Sequence, residues 1–597
     1  MSELGENGAV LSLDETDGAQ LPDLKDVAEI ARTQFADMLA SEEGKKDLVI
    51  QGELMTLLEH VTPINFLKKL EVEHIYRIEP VMDQGGTKRF YVTRPDMLAV
   101  SQIADHIQSD SRARRNREYV VIFVPRRLAS CEYILEREGV HGLIRYMELK
   151  LHLIPLDEHI LSLERNKSLF TLHIDGDMSM LHSVAESILL LERHHGTIPV
   201  VHGKGHLASM VWSLYSRLKD AHQVGTLHHE GGSQITELVL FDRSCDYVTP
   251  LCSQLTYEGI LDDTFGIKSG FVEVGEEIMG KNVKVLLNAR DPVYKIIRSM
   301  HFSSVPSVLC SISKELKSDY SEWKPSQTIP ELKNFVQKLP ELRRKHDSLE
   351  THLKVSEQII VRKREAEYER QLYYERAILE AVDKCPIAEY VEECIHRQVN
   401  FHIPLRLLCL MSTTNGGIKN KYWKILKDQF LQSYGYKFLD TLHNLEKAGV
   451  VVEKPEDSSA PSSFKLLSKN LKLVPKEPET ANLHNPSKMS YVFGGAFKPL
   501  SVAAIEFVTR VGSWNGLDDV VANWSGPAFT HKQGTSQRKA TQTASRAHRV
   551  VLVYFLGGCT FSEINALRFL GEKTGIHYIV ATTNLLNANT LLDSFIS

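Results

Sequence analysis

Short apolar runs with strand composition alternate with helix-period stretches at both ends of this chain, and the alternation lapses in between. KKDLVI (45–50), FYVTRP (90–95) and YVVIFVP (119–125) are separated by helical patterns such as MLAVSQIADHIQSD. LHLIPLD (151–157), GTIPVVHGKG (196–205) and ITELVLFDRS (235–244) continue the series. Alternation of this kind predicts parallel sheets covered by helices on both faces. From about 258 to 450 long helical patterns dominate; then RVVLVYFL (549–556), a helix over 560–571 and HYIVATT (577–583) restore the α/β style. The expectation is an α/β chain whose last strands return to complete the second sheet around a helical insertion.

At about 150 residues per domain, 597 residues predict three or four domains. Hydrophobic residues at 43% and charged residues at 24% fit a globular protein rather than a disordered one. A net charge of -6, from 70 basic and 76 acidic side chains, gives no reason to expect nucleic acid or an anionic membrane as the main partner. The eight cysteines are scattered with no C-x-x-C, which reads as a reduced, intracellular chain. Residues 1–21 read as a disordered acidic tail without the charged start and apolar core of a signal peptide. The longest apolar runs fall far short of the roughly 20 residues of a membrane helix, so a membrane role would work through partners.

Four stretches could carry chemistry. LGGCTFSEINALRFL (556–570) follows a strand with two glycines, as phosphate loops do, but no lysine follows before Lys573. Its Thr560-Phe-Ser-Glu563 fits a capping box, with the Thr560 hydroxyl on the Glu563 N–H and the Glu563 carboxylate on the Thr560 N–H. Gly203-Lys204-Gly205 reads either as a strand-to-helix turn or as an anion loop of a nucleotide-binding protein or hydrolase. In FDRSCDYVTPLCSQLTYEGILDD (241–263), Asp242 and Asp246 are either a carboxylate pair for acid–base or metal work, or part of a buried ion network bridged by Arg243. His194–His195 and His228–His229 supply too few ligands for zinc, and no metal site is expected. Finally, the 45 residues between Pro340 and Pro386 contain no glycine or proline. They carry nine basic and eight acidic residues between Glu341 and Arg376, with apolar spacings through Leu342, Leu349, Leu353, Tyr368, Leu372, Leu379 and Val382. This predicts a long helix or helical hairpin, its seam packed on itself or gripping partner helices.

LFDRSCDYVTPLCSQLTYEGILDD (240–263) resembles the D-R-x-x-D-x-x-T-P…Q-x-T-Y…D segment of the SM (Sec/Munc) family of SNARE-binding proteins. LIPLDEHILSLE (153–164), SYVFGGAFKPLS (490–501) and FLGGCTFSEINALRFL (555–570) are similar to that family too, in the same chain order. Within it, FVPRRLASCEYILEREGVHG, LQSYGYKFLDTLHNLEKAGV and the GTIP…GKG stretch resemble the class C vacuolar sorting subgroup. GILDDTFGIKSG, KVLLNA and GGCTFSEINALRFLG are most like its B-type paralogue.

The resemblance implies an arch-shaped, three-domain α/β fold without catalytic residues or cofactors. Its first domain would span 22–150, its second 151–254 with 500–597, and its helical third 255–499, with a hairpin over about 330–385. It implies a chaperone of SNARE assembly in vesicle docking and membrane fusion, with syntaxin-type SNAREs and assembled SNARE bundles as partners. Leu349, Leu353 and Tyr368 of the hairpin are the SNARE contacts this suggests. It implies a tethering-complex subunit, cytoplasmic and peripheral to late endosome, lysosome and recycling endosome membranes, with a VIPAR-like partner docking on about 386–499. There Lys427, Tyr436 and Leu439 are the implied contacts. Asp242, Arg243 and Asp246 become a structural junction, and Thr560 and Glu563 part of the scaffold.

Overall fold

The computed structural model describes residues 22–82, 85–221, 233–321, 329–382, 385–456, 462–475, 482–533 and 549–596. The tail expected over 1–21, the pair His228–His229 and most of the polar loop 530–548 lie outside them.

Five parallel strands form the first sheet, ordered Val72–Arg77, Lys46–Ile50, Lys88–Thr93, Glu118–Phe123, Ile144–Glu148. The three inner strands are buried almost throughout, which is why LVI and YVVIF read as unbroken apolar runs, with Lys46 and Asp47 as buried polar exceptions. The edge strand VEHIYR is largely exposed and carries no such run, so periodicity does not reveal it.

The second sheet has seven strands, ordered Ala528–Lys532, Val200–Lys204, Glu237–Asp242, Arg549–Leu556, Ile576–Thr582, Ile160–Ser162, Ile154–Asp157. Arg549–Leu556 lies parallel between Glu237–Asp242 and Ile576–Thr582, so the C-terminal segment completes a sheet begun before the helical insertion. Both edges are antiparallel. Residues 530–532, which composition assigns to a polar loop, belong to one of these edge strands. The first helix, Lys25–Ala40, ties the two sheets together: Val27 packs into the second sheet's core and Phe35 and Leu39 against the first.

The insertion is helical apart from a small antiparallel sheet of Ile267–Lys268, Phe271–Val274 and Val283–Leu286 and a two-stranded pair. Its longest element is Ile329–Lys363, 35 residues or about 52 Å. Pro340 lies inside this helix rather than at its start. A proline there removes one N–H, and on an exposed face water can satisfy the freed carbonyl. The helix breaks at Arg364 and Glu365, where Glu365 turns extended and Ala366–Leu379 begins. The pair does not close on one seam of its own. The first helix packs mainly on Pro292–Ile297 and Val305–Ser321, the second on His402–Asn415.

Candidate functional site: a buried junction and an exposed helical face

The four stretches that carry the family resemblance meet at one place, the carboxyl end of the second sheet. Arg243, fully buried, is its centre. Its Nη1 donates to both Glu563 oxygens at 2.9 Å, its Nη2 lies 3.2 Å from Asp246 Oδ2, and its Nε donates to the Asp246 carbonyl at 2.8 Å. Asp246 also accepts from the Thr249 hydroxyl (2.5 Å), the Thr249 N–H (2.9 Å) and the Ser501 N–H (3.0 Å). The Ser501 hydroxyl donates to Glu563, and the Leu500 N–H donates to Thr249 Oγ1 at 3.1 Å. Farther along the same segments, Gln254 accepts from the Ser562 N–H (2.9 Å) and Thr256 from Asn565 (3.0 Å). Asp157 pairs with Arg298 and Arg568.

This arrangement does not make Asp242 and Asp246 a carboxylate pair. Asp246 faces Arg243, whereas Asp242 caps two backbone turns, accepting from the Ser244 N–H (2.9 Å) and the Leu207 N–H (2.9 Å). Burial would lower the Arg243 pKa, but Glu563 and Asp246 outweigh it and hold the guanidinium above its ordinary value. Burial, reinforced by Glu563, pushes the Asp246 carboxyl above its usual range against the pull of Arg243. Burial likewise raises the Cys559 thiol well above its normal value, keeping it protonated and unreactive.

The capping box is present, with Glu563 N–H on Thr560 Oγ1 at 3.2 Å and Thr560 N–H on Glu563 Oε2 at 2.9 Å. Glu563 therefore serves a helix cap and an ion pair at once, and only its capping role has a local sequence signature. The two glycines before it have φ of +100° and +114°. A Cβ on Gly558 would sit 2.0 Å from Leu586 Cδ2, so the pair is required by space as well as by the turn.

The Gly203–Gly205 loop is already filled by the protein. Buried Lys204 donates to the carbonyls of Trp524 (3.1 Å) and Gly526 (2.6 Å), and its ammonium lies 4.8 Å from the Trp524 ring centre. The Gly205 N–H donates to the Pro527 carbonyl at 2.8 Å, and the helix start that would face a phosphate holds the Asp242 carboxylate. This overturns the nucleotide reading of that loop: its cation and its anion-binding amides are both spent. The first sheet is similar. At the carboxyl end of its strands, where doubly wound sheets take ligands, Arg94 reaches the carbonyls of Leu163 (3.3 Å) and Glu164 (3.0 Å) in the second sheet's segment.

The hairpin residues do not share one face. Leu349 is 5% exposed and belongs to the core, Leu353 is 38% exposed, and half-buried Tyr368 faces Ser253, Asp263 and Arg406 across a small pocket. Leu349 is thus corrected from a contact to a core anchor. The inner stripe of the long helix is partly polar, which apolar spacing misses. His352 Nδ1 and the Tyr257 hydroxyl are 2.8 Å apart, His352 Nε2 is 3.4 Å from Asp291, and Ser348 donates to Asp291. Burial would raise the Asp291 pKa, but His352 and Ser348 pull it down to about 2. In the second helix Glu375 accepts from the Ser253 N–H (2.9 Å) and Gln371 (2.7 Å), with Arg406 at 3.2 Å. The outward face keeps Val336, Leu353 and Val361 exposed.

On the helices Asn420–Tyr434 and Leu439–Lys447 a second exposed face forms. Tyr436 is 72% exposed and Leu439 47%, with Ile425 also exposed. Lys427 is different: its Nζ is bound to Glu446 Oε1 at 2.8 Å, an oxygen that also accepts from Trp423 Nε1 at 3.0 Å. Lys427 is thus engaged within the chain, and Tyr436 and Leu439 are the groups presented.

Among the described residues no helix is long and apolar enough to cross a membrane. The Sec1 family model matches residues 46–594. The chain is 36% identical over 613 aligned positions to vacuolar protein sorting-associated protein 33B of Homo sapiens, covering 97% of this chain and 98% of that protein. It is 35% identical over 590 positions to the vacuolar protein-sorting-associated protein 33 homolog of Arabidopsis thaliana, covering 96% and 97%. The 33A protein of Rattus norvegicus is 31% identical over 593 positions, covering 95% and 96%. The SM protein Vps45 in complex with the Qa SNARE Tlg2 superposes with a TM-score of 0.60 at 15% identity, covering 96% of this chain and 98% of that one. The Unc18–syntaxin 1 complex from Monosiga brevicollis also gives 0.60 at 15%, covering 96% and 99%. The solved structures establish the α/β SM fold, and the greater identity to 33B than to 33A agrees with the B-type likeness in the sequence. With its four family stretches converging on one buried junction and a match running almost end to end, the chain belongs to the Sec1 family.

Proposed function

We propose that the chain binds SNARE helices and guides their assembly for membrane fusion in endosomal–lysosomal traffic, as a subunit of a class C type tether. The end-to-end likeness to the 33B proteins carries this reading. The likeness to Vps45 in complex with the Qa SNARE Tlg2 and to the Unc18–syntaxin 1 complex supports it. In this reading the protein works by binding, no residue is assigned to catalysis, and membranes are reached through partners at late endosomes, lysosomes and recycling endosomes. The chain divides at about 22–150, 151–254 with 500–597, and 255–499. The long helix offers SNAREs its outer face, around Val336, Leu353 and Val361, while Leu349 anchors it from below. A VIPAR-like tether subunit docks at Tyr436 and Leu439, with the Lys427–Glu446 pair at the rim.

The test is pull-down of the full chain with assembled endosomal SNARE bundles. Deleting the hairpin would remove core residues, so the variant of choice is Leu353→Asp with Val361→Asp, both on the exposed face. Loss of SNARE capture with unchanged melting supports the proposal; undiminished capture sinks the assignment of this face.

A further inference from the structure

A cleft of about 890 Å³ opens between the end of the second hairpin helix, the end of helix His402–Asn415 and the helix Ser463–Leu471. Its floor is apolar, with Ile378, Leu379, Phe464 and Val474 lining it. Among the described residues its charged lining is strongly biased: Lys465, Lys469, Lys472, Lys488 and Lys498 against one acid, Glu380. Glu380 is already bound by Arg376 Nε at 2.8 Å. Among the described residues none of the five lysines has an ion-pair partner. In a chain whose net charge is -6, this is a local reversal of sign.

The helix Ser463–Leu471 shows how the reversal is built. Leu467 faces the core and buried Phe464 lies between the core and the cleft floor, while Lys465, Ser468, Lys469 and Lys472 fall at i, i+3, i+4 and i+7 on the cleft side. Like charges at these spacings oppose one another, so the stripe works against the helix that carries it. Lys472 adds a second cost. It closes the helix with φ 51° and ψ 51°, a left-handed conformation in which glycine is intrinsically favoured. A lysine there puts a charge at the cleft at the expense of local stability.

We propose that this cleft docks an acidic amphipathic segment of a partner protein, its apolar side chains on the floor and its carboxylates against the lysines. The apolar floor decides between anionic partners. A phosphate or lipid headgroup would use the lysines and leave the floor idle, and a flat bilayer would touch the rim without reaching it. An amphipathic helix laid in a groove uses both. The cleft is separate from the Tyr436 face and from the outer face of the long helix, so this inference stands or falls apart from the proposed function.

The probe is a fluorescein-labelled 14-residue peptide with leucines at i, i+3, i+4 and i+7 and glutamates elsewhere, titrated with the full chain and followed by anisotropy. A Glu→Gln version of the peptide and vesicles containing 20% anionic phospholipid serve as the other arms. The expected result is saturable binding that raising salt from 50 to 300 mM weakens. Lys465→Glu with Lys469→Glu should reduce it at least tenfold at unchanged melting temperature. Lys472→Gly should reduce it too while leaving melting equal or higher, a result no misfolded variant can imitate. Equal binding of the Gln peptide, or of the double variant, overturns the proposal. So does lysine-dependent binding to the vesicles without binding to the peptide. Binding that emerges only after Glu477→Gln and Glu479→Gln also overturns it, in favour of the chain's own acids as occupants.

Discussion

The junction around Arg243 and the face around Tyr436 follow opposite rules. At the junction every charge is matched by a charge or a backbone group from a distant part of the chain: 242–249, 500–501 and 560–563 meet within hydrogen-bond distance. On the Tyr436 face, large apolar side chains stand in water. The four SM-like stretches belong to the first region, whereas the subgroup-like LQSYGYKFLDTLHNLEKAGV leaves Tyr436 and Leu439 exposed at the second. Patterned sequence thus marks what holds the fold together and, around Tyr436, also a face that the fold leaves exposed.

Breaking the junction should have the largest effect. Arg243→Ala would strand Glu563 and Asp246 in the interior, and removing one partner of a buried ion cluster costs about 3–5 kcal/mol. A loss of that size in the denaturation midpoint, or failure to accumulate as a folded chain, is expected. Arg243→Lys should recover only part of it, since an ammonium cannot serve both acids with the fork geometry. If Arg243→Ala melts like the wild type, the junction does not hold the segments together.

The next effect depends on pH. Asp262, 5% exposed beside the junction, accepts from the Ile267 N–H at 2.9 Å. Burial, then the neighbouring Asp263, pushes its pKa up to about 7. The folded chain therefore binds a proton that the unfolded chain releases near pH 4. The stability this proton supplies is complete below about pH 4 and is lost as pH rises through about 7, a change on the order of a few kcal/mol. Asp262→Asn keeps the shape and cannot ionise. Its melting temperature should vary less than that of the wild type between pH 5 and 8 and exceed it at pH 8. Parallel curves for the two proteins would contradict this.

Smaller still is Thr560→Ala. It removes the hydroxyl that accepts from Glu563 N–H but leaves the Arg243–Glu563 pair in place. A helix cap of this kind contributes about 0.5–2 kcal/mol. Stability should fall by that amount with both exposed faces unaffected; lost SNARE capture at unchanged melting would mean that Thr560 acts beyond the scaffold.

The comparison also explains what the sequence made legible. The inner strands of both sheets are apolar runs because helices bury both their faces, and the Thr560–Glu563 box is local, so each could be read in place. Strand 72–77 and strand 528–532 escaped because edge strands need only one neighbour and carry polar residues. The Glu563–Arg243 and Ser501–Glu563 contacts join positions hundreds or tens of residues apart, and nothing in either segment alone encodes the pairing. The hairpin misled for a different reason. Apolar spacing placed Leu353 on the seam, but the buried stripe runs through Ser348 and His352, polar residues held by Tyr257 and Asp291. Lys427 was assigned to a partner because the motif gives its identity, not that Glu446 already occupies it.

The smallest expected effect on folding, and the sharpest contrast with Arg243, is Tyr436→Asp. The side chain is 72% exposed and packs on little, so the substitution should change stability by no more than about 0.5 kcal/mol. Its effect on docking should be far larger. A carboxylate pressed into a contact built for an aromatic ring loses its hydration without gaining a partner, which costs several kcal/mol. Leu439→Asp should behave the same way, whereas Lys427→Ala should act mainly by leaving Glu446 unpaired, lowering stability slightly more than it lowers docking. Co-purification of the VIPAR-like subunit with wild type and each variant, read beside their melting curves, separates these outcomes. If Tyr436→Asp retains the partner, the docking face lies elsewhere. If it loses the partner only together with its own fold, Tyr436 belongs to the scaffold after all, and the division between a self-matched interior and an open face fails at the residue chosen to represent it.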